Sequence, residues 1–244
     1  KSTLIELFEL CLGEYCCKLP ITLLTKKRNA SNAASPEVHA AKSKRFASMQ
    51  EPDDGDRINV GYMKELSGGD KTYSRGLYEK PIEFKPQFKM ILTCNKLPEI
   101  QATDDGTWRR LRVVPFESKF VDNPDPRNKH EYKKDRSICD KMKEWVAPFI
   151  DILIDALEDY KQTGIEEPDT VTQYTANFQR TSDIMGTYFK ETIDQTNDPS
   201  DTIDLRTFYH HFKAWYRAGV NNNPPQSKEF KEYLEAIQKY PKNN

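Results

Sequence analysis

The chain has 244 residues and a formal net charge of −1, and 36% of its residues are hydrophobic while 31% are charged. This length fits two domains of about 100–150 residues each. No apolar run reaches the roughly 18 residues that a membrane-spanning helix needs, so we expect no membrane partner. The start, KSTLIELFEL, contains acids and does not resemble a signal peptide, and its lack of Met predicts a biological start further upstream. The near-zero net charge at first argues against a nucleic-acid partner.

The cysteines are Cys11, Cys16, Cys17, Cys94 and Cys139. Their odd number and the adjacent pair at 16 and 17 do not resemble the disulfide framework of a secreted protein. Since no CxxC pair occurs, a zinc ribbon or finger is also disfavoured. We therefore expect reduced thiols in a protein of cytosolic type.

The first part of the chain alternates helical and strand patterns, which is typical of an α/β sheet. The predicted helices cover 3–12, a short segment opened by Ser35, Pro36 and Glu37, and 57–67. The predicted strands cover 19–25, 45–50, 87–93 and 111–116, and a hairpin pairs 71–77 with 81–85.

The second part of the chain is mostly helical. A polar linker or lid over 117–136 precedes a predicted helix at 145–160. Three further helical patterns cover 171–194, 205–218 and 226–240. Together with a possible small β-wing, they fit a helix-turn-helix or winged-helix module, and a plain helical bundle is the alternative.

Lys1, Ser2 and Thr3 stand directly before the first predicted helix. In a P-loop, a lysine at this place reaches the β- and γ-phosphates and the hydroxyl after it binds Mg²⁺. The glycine-rich half of that motif is not in this chain. Taken alone, these residues are a weak signal, and chance explains them better.

Polar residues follow two of the predicted strands. Glu51, with Asp53 and Asp54 after it, ends one strand, and Asn95 ends another. A P-loop ATPase needs an acid at such a strand end to hold Mg²⁺ or to orient water, and an amide can touch the γ-phosphate. The alternatives are an ordinary acidic turn and an asparagine that begins a turn.

Two arginines, Arg109 and Arg110, precede the predicted strand at 111–116. A guanidinium delivered to the phosphate of a neighbouring subunit would stabilise transition-state charge, whereas a surface salt-bridge cluster is the alternative. The predicted strand ends and helix starts of one α/β layer carry, in succession, Lys1, Glu51, Asn95 and Arg109. Open sheets bind their ligands at such places.

Five blocks of sequence strengthen this interpretation. They are Glu51-Pro-Asp-Asp-Gly-Asp, Met63-Lys-Glu-Leu-Ser-Gly-Gly-Asp70, Phe84-Lys-Pro, Leu92-Thr-Cys-Asn95-Lys-Leu-Pro98, and Asp105-Gly-Thr-Trp-Arg-Arg110 followed by Val114-Pro-Phe116. The pattern resembles the superfamily 3 helicases, and most of all the primase-helicases of poxviruses, related large DNA viruses and certain phages and plasmids. The resemblance is dense over 1–116 and loose over 165–244.

The resemblance implies an α/β fold with an AAA+-like P-loop ATPase core, truncated at its N-terminus, and a small winged-helix-like domain after it. It also implies ATP and Mg²⁺ as ligands, a homohexameric ring, single-stranded or forked DNA in the channel, and a primase domain upstream. The implied segments are the ATPase core at 1–121, linker and lid helices at 122–164, and the winged-helix-like domain at 165–244.

The resemblance assigns roles to individual residues. Lys1, Ser2 and Thr3 look like the end of Walker A. Ser2 and Glu51, the Walker B acid, would hold Mg²⁺. Asn95 resembles sensor 1. Arg109, with Arg110 beside it, resembles the arginine finger.

The sequence departs from the family pattern in two places. Many members have two adjacent acids at Walker B, whereas here Gln50 precedes Glu51. Either Glu51 acts alone, or Asp53 or Asp54 assists it. The glycine-rich half of Walker A and the strand before it are missing, so the chain is interpreted as a fragment of a longer protein.

The segment Lys71–Phe84 lies where the family has its DNA-gripping hairpin. Lys71, Arg75 and Lys80 can contact phosphates, and Tyr78 can stack on a base or pack under the hairpin. A solvated charged hairpin is the alternative. Within the tail, the aromatic residues at 208, 209, 212, 215 and 216 are interpreted as core, and His210 and His211 as a surface pair.

Local charge reverses the first impression of the net charge. Residues 18–45 contain seven lysines and arginines against one acid, and residues 71–89 contain five against two. Such segregation suits a ring with a basic channel.

The function expected from these features is the ATP-dependent DNA helicase motor of a viral-type replicative primase-helicase. We expect it at a viral replication site in the host cytoplasm or in the cytoplasm of a phage-infected cell. A non-catalytic DNA-binding or assembly module on the same fold is the alternative. A small-molecule P-loop kinase explains neither the basic hairpin nor the tail.

Overall fold

The computed structural model of the chain describes residues 1–27, 33–53, 55–102, 104–194, 196, 198, 200–220 and 222–239. The chain divides into two compact units. The first comprises Lys1–Gln101 and Asp105–Asn177, and the second comprises Ala102–Asp104 and Phe178–Asn244. The domain boundaries expected after residues 121 and 164 stay predictions.

Within the described ranges, helices and strands alternate over the first half and helices dominate the second. The helices are α1 (Ser2–Leu12), α2 (Thr22–Thr25), α3 (Pro36–Ala40), α4 (Val60–Ser67), α5 (Asp105–Trp108), α6 (Ile138–Met142), α7 (Val146–Thr163), α8 (Asp169–Ser182), α9 (Ile184–Thr192), α10 (Leu205–Gly219) and α11 (Ser227–Lys239). The strands are β1 (Cys16–Lys18), β2 (Phe46–Met49), β3 (Thr72–Ser74), β4 (Ile82–Phe84), β5 (Lys89–Leu92), β6 (Lys119–Val121) and β7 (Glu131–Lys133).

A parallel sheet with the strand order β1-β2-β5 forms the centre of the first unit. Phe46 of β2 pairs with Cys16 on one side and with Lys89 on the other. Every residue of β2 is buried, as expected for the middle strand of a parallel sheet that is covered on both faces. Phe8 of α1 stacks on Phe46 with ring centroids 5.2 Å apart, and Phe149 of α7 meets Phe8 edge-on at 5.1 Å. The predicted α/β class is therefore confirmed.

Several predicted elements are confirmed with small shifts of their ends. The helix predicted at 3–12 is α1, the helix opened by Ser35 is α3, and the strands predicted at 45–50 and 87–93 are β2 and β5. The helix predicted at 57–67 begins later, as α4. Its start is fixed by Asn59, whose side chain accepts a hydrogen bond from the Tyr62 backbone N–H at 3.1 Å.

The strand predicted at 19–25 is wrong. The strand of this region is β1, which lies earlier, and the apolar run after it becomes the short helix α2. Pro20 lacks the N–H that a ladder needs, and its carbonyl accepts a turn hydrogen bond from the Leu23 N–H at 3.1 Å. Leu24 is buried from this helical turn. A short apolar run suits a buried strand or a buried helix equally well, so its pattern alone does not decide between them.

The strand predicted at 111–116 is also wrong, because no described strand pairs with this segment. The Val113 N–H donates to the Thr175 hydroxyl at 3.0 Å instead of to a ladder. The guanidinium of Arg112 donates to the carbonyls of Leu111 and Arg109 at 2.6 and 3.2 Å. A strand-like pattern records a preference for extended backbone, whereas a strand also needs a neighbour.

An aromatic cluster forms the core of the second unit. Its buried members are Tyr188, Phe208, Phe212, Tyr216 and Phe230, and the half-buried Tyr209 and Trp215 pack against them. The core role predicted for the aromatic residues of α10 is confirmed. No strand forms among the described residues of this unit, so its winged-helix character stays a prediction.

Two features of the second unit differ from the sequence expectation. The helical pattern at 171–194 is split, because Asp183 ends the first helix and its side chain caps α9 by accepting from the Gly186 N–H at 2.9 Å. His211 is exposed, yet its Nδ1 lies 2.7 Å from the hydroxyl oxygen of the buried Tyr188. His210 and His211 are both exposed, so the predicted surface pair is confirmed, and the contact of His211 with Tyr188 is the part that the sequence did not predict.

Within the part of the chain that the structure describes, no helix is long and apolar enough to cross a membrane.

Candidate nucleotide site and basic hairpin

A cavity of about 220 Å³ opens at the carboxyl ends of β2 and β5, beside the first turns of α1. It is lined by Lys1, Ser2, Ile5, Glu6, Glu9, Lys18, Ser48, Met49, Gln50, Glu51, Thr93, Cys94 and Asn95. Open α/β sheets bind ligands at the carboxyl ends of their strands, so the cavity lies where a ligand is expected.

Three of the predicted site residues meet in this cavity although they are far apart in sequence. The Lys1 ammonium donates to Asn95 Oδ1 at 2.7 Å and also to the carbonyl oxygen of Cys94. The backbone N–H of Asn95 donates to Glu51 Oε1 at 3.0 Å. Asn95 thus lies between a cation and a carboxylate and hydrogen-bonds to both.

The start of α1 makes this edge of the cavity attractive to anions. Lys1 is the N-cap of an 11-residue helix, whose first N–H groups and dipole favour negative charge. The ammonium of Lys1 is held at present by neutral oxygens. The other lysine of the cavity, Lys18, is paired with Glu9 at 3.2 Å. Lys1 is therefore the cation that an incoming phosphate can engage.

The donor set of the cavity fits magnesium. Ser2 supplies a hydroxyl and Glu51 a carboxylate, and Mg²⁺ prefers such oxygen ligands. Among the described residues no group of three or more His, Cys, Asp and Glu residues could hold a metal ion. Mg²⁺ commonly takes one or two protein oxygens and completes its shell with water and substrate phosphates, which suits Ser2 and Glu51.

Other residues considered for this site lie outside its lining. Thr3 is half-buried in the first turn of α1 and is not part of the cavity wall. The backbone N–H of Asp53 donates to the Asp56 carboxylate at 3.1 Å, within a turn next to the strand end. Asp54 lies outside the described residues. Gln50, in contrast, does line the cavity, next to Glu51.

The sequence did not predict one polar pair of the cavity wall, Ser48 and Glu9. Ser48, a buried residue of β2, donates to Glu9 Oε1 at 2.9 Å. Glu9 lies two helical turns after Ser2, and a spacing of three or four residues places Ser2, Ile5 and Glu9 on one face of α1. The helical spacing indicates that Glu9 shares the face of Ser2. It cannot predict the hydrogen bond between Glu9 and Ser48, because that bond joins a helix to a distant strand.

The two predicted finger arginines lie outside the cavity and differ in their surroundings. Arg110 is half-buried, and its guanidinium donates to the Gly106 carbonyl of its own turn. Arg109 is exposed, and none of the described residues bonds to its guanidinium. Arg109 is thus the arginine of the pair that another molecule can engage.

The predicted hairpin forms, with β3 and β4 antiparallel and Thr72 opposite Phe84. It is attached to the region of α3, since the Ser35 N–H donates to the Arg75 carbonyl at 2.9 Å. His39 Nε2 of α3 also lies 2.8 Å from Glu79 Oε2 in the loop of the hairpin. The loop is therefore anchored at both of its sides.

The three predicted DNA-binding cations of the hairpin are not equivalent. Lys71 lies 2.8 Å from Glu83, whose hydrogen bond and negative charge raise the pKa of Lys71. That carboxylate offsets the positive charge of Lys71. Arg75 and Lys80 are exposed and have no side-chain partner among the described residues. Close to them, Tyr78 is fully exposed with φ at +61°, a conformation uncommon outside glycine.

The fold and this cavity are consistent with an α/β nucleotide-binding domain. No family model matches the chain. The chain is 35% identical over 243 residues to "Putative helicase L207/L206" of Acanthamoeba polyphaga mimivirus, across 96% of this chain and 25% of the relative. It is 30% identical over 246 residues to "Putative helicase 184R" of Invertebrate iridescent virus 6, across 91% of this chain and 25% of the relative.

A third relative carries a different name. "Putative primase C962R" of African swine fever virus (isolate Warthog/Namibia/Wart80/1980) is 26% identical over 254 residues, across 98% of this chain and 26% of the relative. The chain spans about a quarter of the length of these relatives. The predicted kinship with viral primase-helicases is confirmed, since this chain is a homologue of helicase- and primase-named proteins of large DNA viruses.

Proposed function

We propose that the chain is the motor segment of an ATP-dependent DNA helicase, within a replicative primase-helicase of superfamily 3 type. The observation that carries this proposal is the contact of Lys1 and Glu51 with Asn95 at the carboxyl edge of the sheet. A cation, an amide and a carboxylate on one small cavity are the groups that phosphoryl transfer to water requires. The helicase names of the relatives support the same function.

In this proposal four residues of the cavity share the tasks of nucleotide binding and hydrolysis. Lys1 exchanges the oxygens of Cys94 and Asn95 for phosphate oxygens of ATP. Asn95 orients the γ-phosphate or the attacking water, and the carboxylate of Glu51 accepts a hydrogen bond from that water. Ser2 and Glu51 would hold Mg²⁺, which supplies charge neutralisation at the β- and γ-phosphates when bound.

The proposal also includes a ring of identical subunits, with six as the expected number. Arg109 would complete the nucleotide site of the next subunit, because its guanidinium is exposed and lies outside the cavity of its own chain. The positive charge that stabilises the transition state of phosphoryl transfer would then reach the site only in the assembled ring. Thr3 and Arg110 would support these residues from the next position in the sequence, Thr3 beside Ser2 and Arg110 beside Arg109.

Single-stranded or forked DNA is the proposed track, and the hairpin loop is the proposed grip. Arg75 and Lys80 place two uncompensated cations beside the exposed Tyr78. Cations that neutralise phosphates provide sequence-independent affinity, as a motor needs. We further propose an upstream primase domain in the full-length protein, and activity at a viral replication site in the cytoplasm of the infected cell.

A specific observation favours one alternative, a non-catalytic DNA-binding or assembly module on the same fold. Gln50 stands beside Glu51 in the cavity, where a second acid would add a ligand for Mg²⁺. Equilibrium binding of ATP to the full-length protein separates the two functions. The motor requires binding followed by hydrolysis that single-stranded DNA accelerates, whereas the alternative requires neither.

Substitution of Lys80 by alanine should uncouple unwinding from hydrolysis. The full-length variant should unwind a forked duplex roughly tenfold more slowly at physiological salt, because one phosphate contact is lost at the proposed grip of each subunit. Its ATP hydrolysis without DNA should stay within about twofold of the wild type, because Lys80 does not line the cavity. A strand-displacement assay and a phosphate-release assay measure the two rates.

Lys161→Ala is the matched control, since Lys161 is an exposed lysine in the last turn of α7. Unwinding by the control should match the wild type. Equal unwinding by the Lys80 variant and the wild type would remove the hairpin from the proposed mechanism.

A further inference from the structure

A small two-stranded sheet in the segment expected to be a polar linker displays two aromatic rings. The strands β6 and β7 are parallel, and Phe120 lies directly opposite Tyr132 in their register. The ring centroids are 5.8 Å apart. Phe120 is 62% exposed and Tyr132 is 49% exposed. Two aligned aromatic rings in water form a surface on which a planar group such as a base can stack.

The surroundings of the pair are rich in uncompensated cations. Lys119, Arg127, Lys129, Lys133 and Lys134 are exposed and have no side-chain partner among the described residues. Lys134 follows Tyr132 by two residues, and its N–H continues the ladder by donating to the Val121 carbonyl at 2.9 Å, so Lys134 lies on the face of the rings. Lys119 and Lys133 lie on the opposite face of the sheet.

Two acids of the same segment are paired with cations. Asp122 is paired with Arg136 at 3.0 Å, and Asp135 is paired with Lys141 at 2.6 Å. The Glu131 carboxylate accepts hydrogen bonds from the backbone N–H of Asp125 and the side chain of Asn128, at 3.0 and 3.1 Å. Glu117, Asp125 and Glu131 have no lysine or arginine partner among the described residues, so the five cations exceed the remaining acids by two and the balance of charge is positive.

We propose that the surface formed by Phe120, Tyr132 and Lys134, with Arg127 and Lys129 of the loop between the two strands, is a binding platform for single-stranded nucleic acid. The rings would stack on one or two bases, and the lysines and arginine would contact the flanking phosphates. Aromatic platforms combined with basic side chains bind single strands without sequence preference, because every base has a face to stack. A partner protein would instead need an apolar patch surrounded by acidic side chains to match this surface.

The proposal goes beyond the motor function, because binding at this platform requires no ATP and no residue of the cavity. It gives the chain a second contact with the strand, separate from the hairpin. It also gives a function to a segment whose sequence predicts only a linker or lid.

The test compares two double variants of this chain that change the pair in different ways. Phe120→Ala with Tyr132→Ala removes both rings, whereas Phe120→Tyr with Tyr132→Phe keeps them. Binding is measured without ATP by fluorescence anisotropy, using labelled oligomers of deoxythymidine and of uridine about 20 nucleotides long, which span more than one site of the usual size. Loss of both rings should weaken binding at least roughly tenfold, while the ring-keeping variant should stay within about twofold of the wild type.

The salt dependence separates stacking from charge. Removal of the rings should lower the affinity at every salt concentration without changing the slope of log K against log salt. Lys129→Ala with Lys134→Ala should instead reduce the slope by about 1.4, because each phosphate contact on a single strand contributes about 0.7. Comparison of the two oligomers shows whether the platform prefers DNA or RNA.

Several results would overturn the platform. They are the absence of wild-type binding to both oligomers, equal affinity of the ring-less variant and the wild type, and equal losses in both double variants. A ring-less variant that loses self-association in sedimentation, with its affinity for the oligomers unchanged, would make the pair a subunit contact instead. Circular dichroism should match the wild type throughout, since both rings are exposed. Loss of the platform leaves ATP hydrolysis by the full-length protein intact, so its failure is distinguishable from failure of the motor.

Discussion

Replacement of Lys1 by alanine should lower DNA-stimulated ATP hydrolysis by the full-length protein at least about 100-fold, the usual effect of losing one group that stabilises transition-state charge. Lys1 is the cation at the start of α1 whose partners are neutral oxygens, those of Cys94 and Asn95. Lys18 cannot replace it without breaking its pair with Glu9. The rate of phosphate release with saturating single-stranded DNA is the measurement.

Lys161→Ala is again the control for this experiment, because Lys161 is an exposed lysine of the same unit that lies outside the cavity. Its turnover should equal that of the wild type. Turnover of the Lys1 variant within about twofold of the wild type would contradict the assignment of the nucleotide site, because a phosphate-binding lysine contributes far more than that.

Replacement of Arg109 by alanine should lower hydrolysis by about 1,000-fold or more, which is the size of effect that a finger arginine has in related phosphoryl transfers. ATP binding should change little, because Arg109 does not line the cavity of its own subunit. Arg110→Ala is the matched comparison. The guanidinium of Arg110 donates to the Gly106 carbonyl. Loss of Arg110 should therefore lower the rate of hydrolysis less than loss of Arg109 does, and it should lower the free energy of unfolding.

A mixture of the Lys1→Ala and Arg109→Ala proteins tests the subunit crossing of this arginine. In a mixed ring, a site with an intact Lys1 can receive an intact Arg109 from its neighbour. Hydrolysis should therefore recover partly on mixing, although each variant alone is nearly inactive. Absence of any recovery, in rings shown by sedimentation to contain both variants, would contradict a finger that acts on the neighbouring subunit.

The site was predictable where chain order determines geometry. Glu51 and Asn95 follow neighbouring parallel strands, so both must reach the same edge of the sheet. The helical spacing at 3–12 also places Lys1 at the start of α1. Their mutual contact through the Asn95 backbone follows from this placement.

The sequence could not predict features that depend on which distant segments pair. Glu83 offsets Lys71 only because β3 and β4 bring both side chains to one side of the hairpin. Phe120 and Tyr132 align through a parallel pairing within a segment whose composition indicates a linker. The pattern at 111–116 predicted a strand, but no described segment pairs with it. Each case depends on whether two distant segments of the chain meet, which local propensity does not encode.

Cys94 offers the most direct test of the central claim that the cavity is a nucleotide site. Its thiol belongs to a half-buried residue of the cavity wall, and burial raises its pKa, so alkylation by N-ethylmaleimide is best followed at about pH 8.5, where more thiolate forms. Cys139 is exposed on α6 and serves as the internal control. Mass spectrometry of peptides from the same sample gives both rates.

With Mg²⁺ and ATP at about ten times the dissociation constant, alkylation of Cys94 should slow about tenfold, because only the unoccupied protein reacts. Alkylation of Cys139 should not change. Equal alkylation rates of Cys94 with and without ATP, at a concentration that saturates binding, would contradict the assignment of this cavity to the nucleotide.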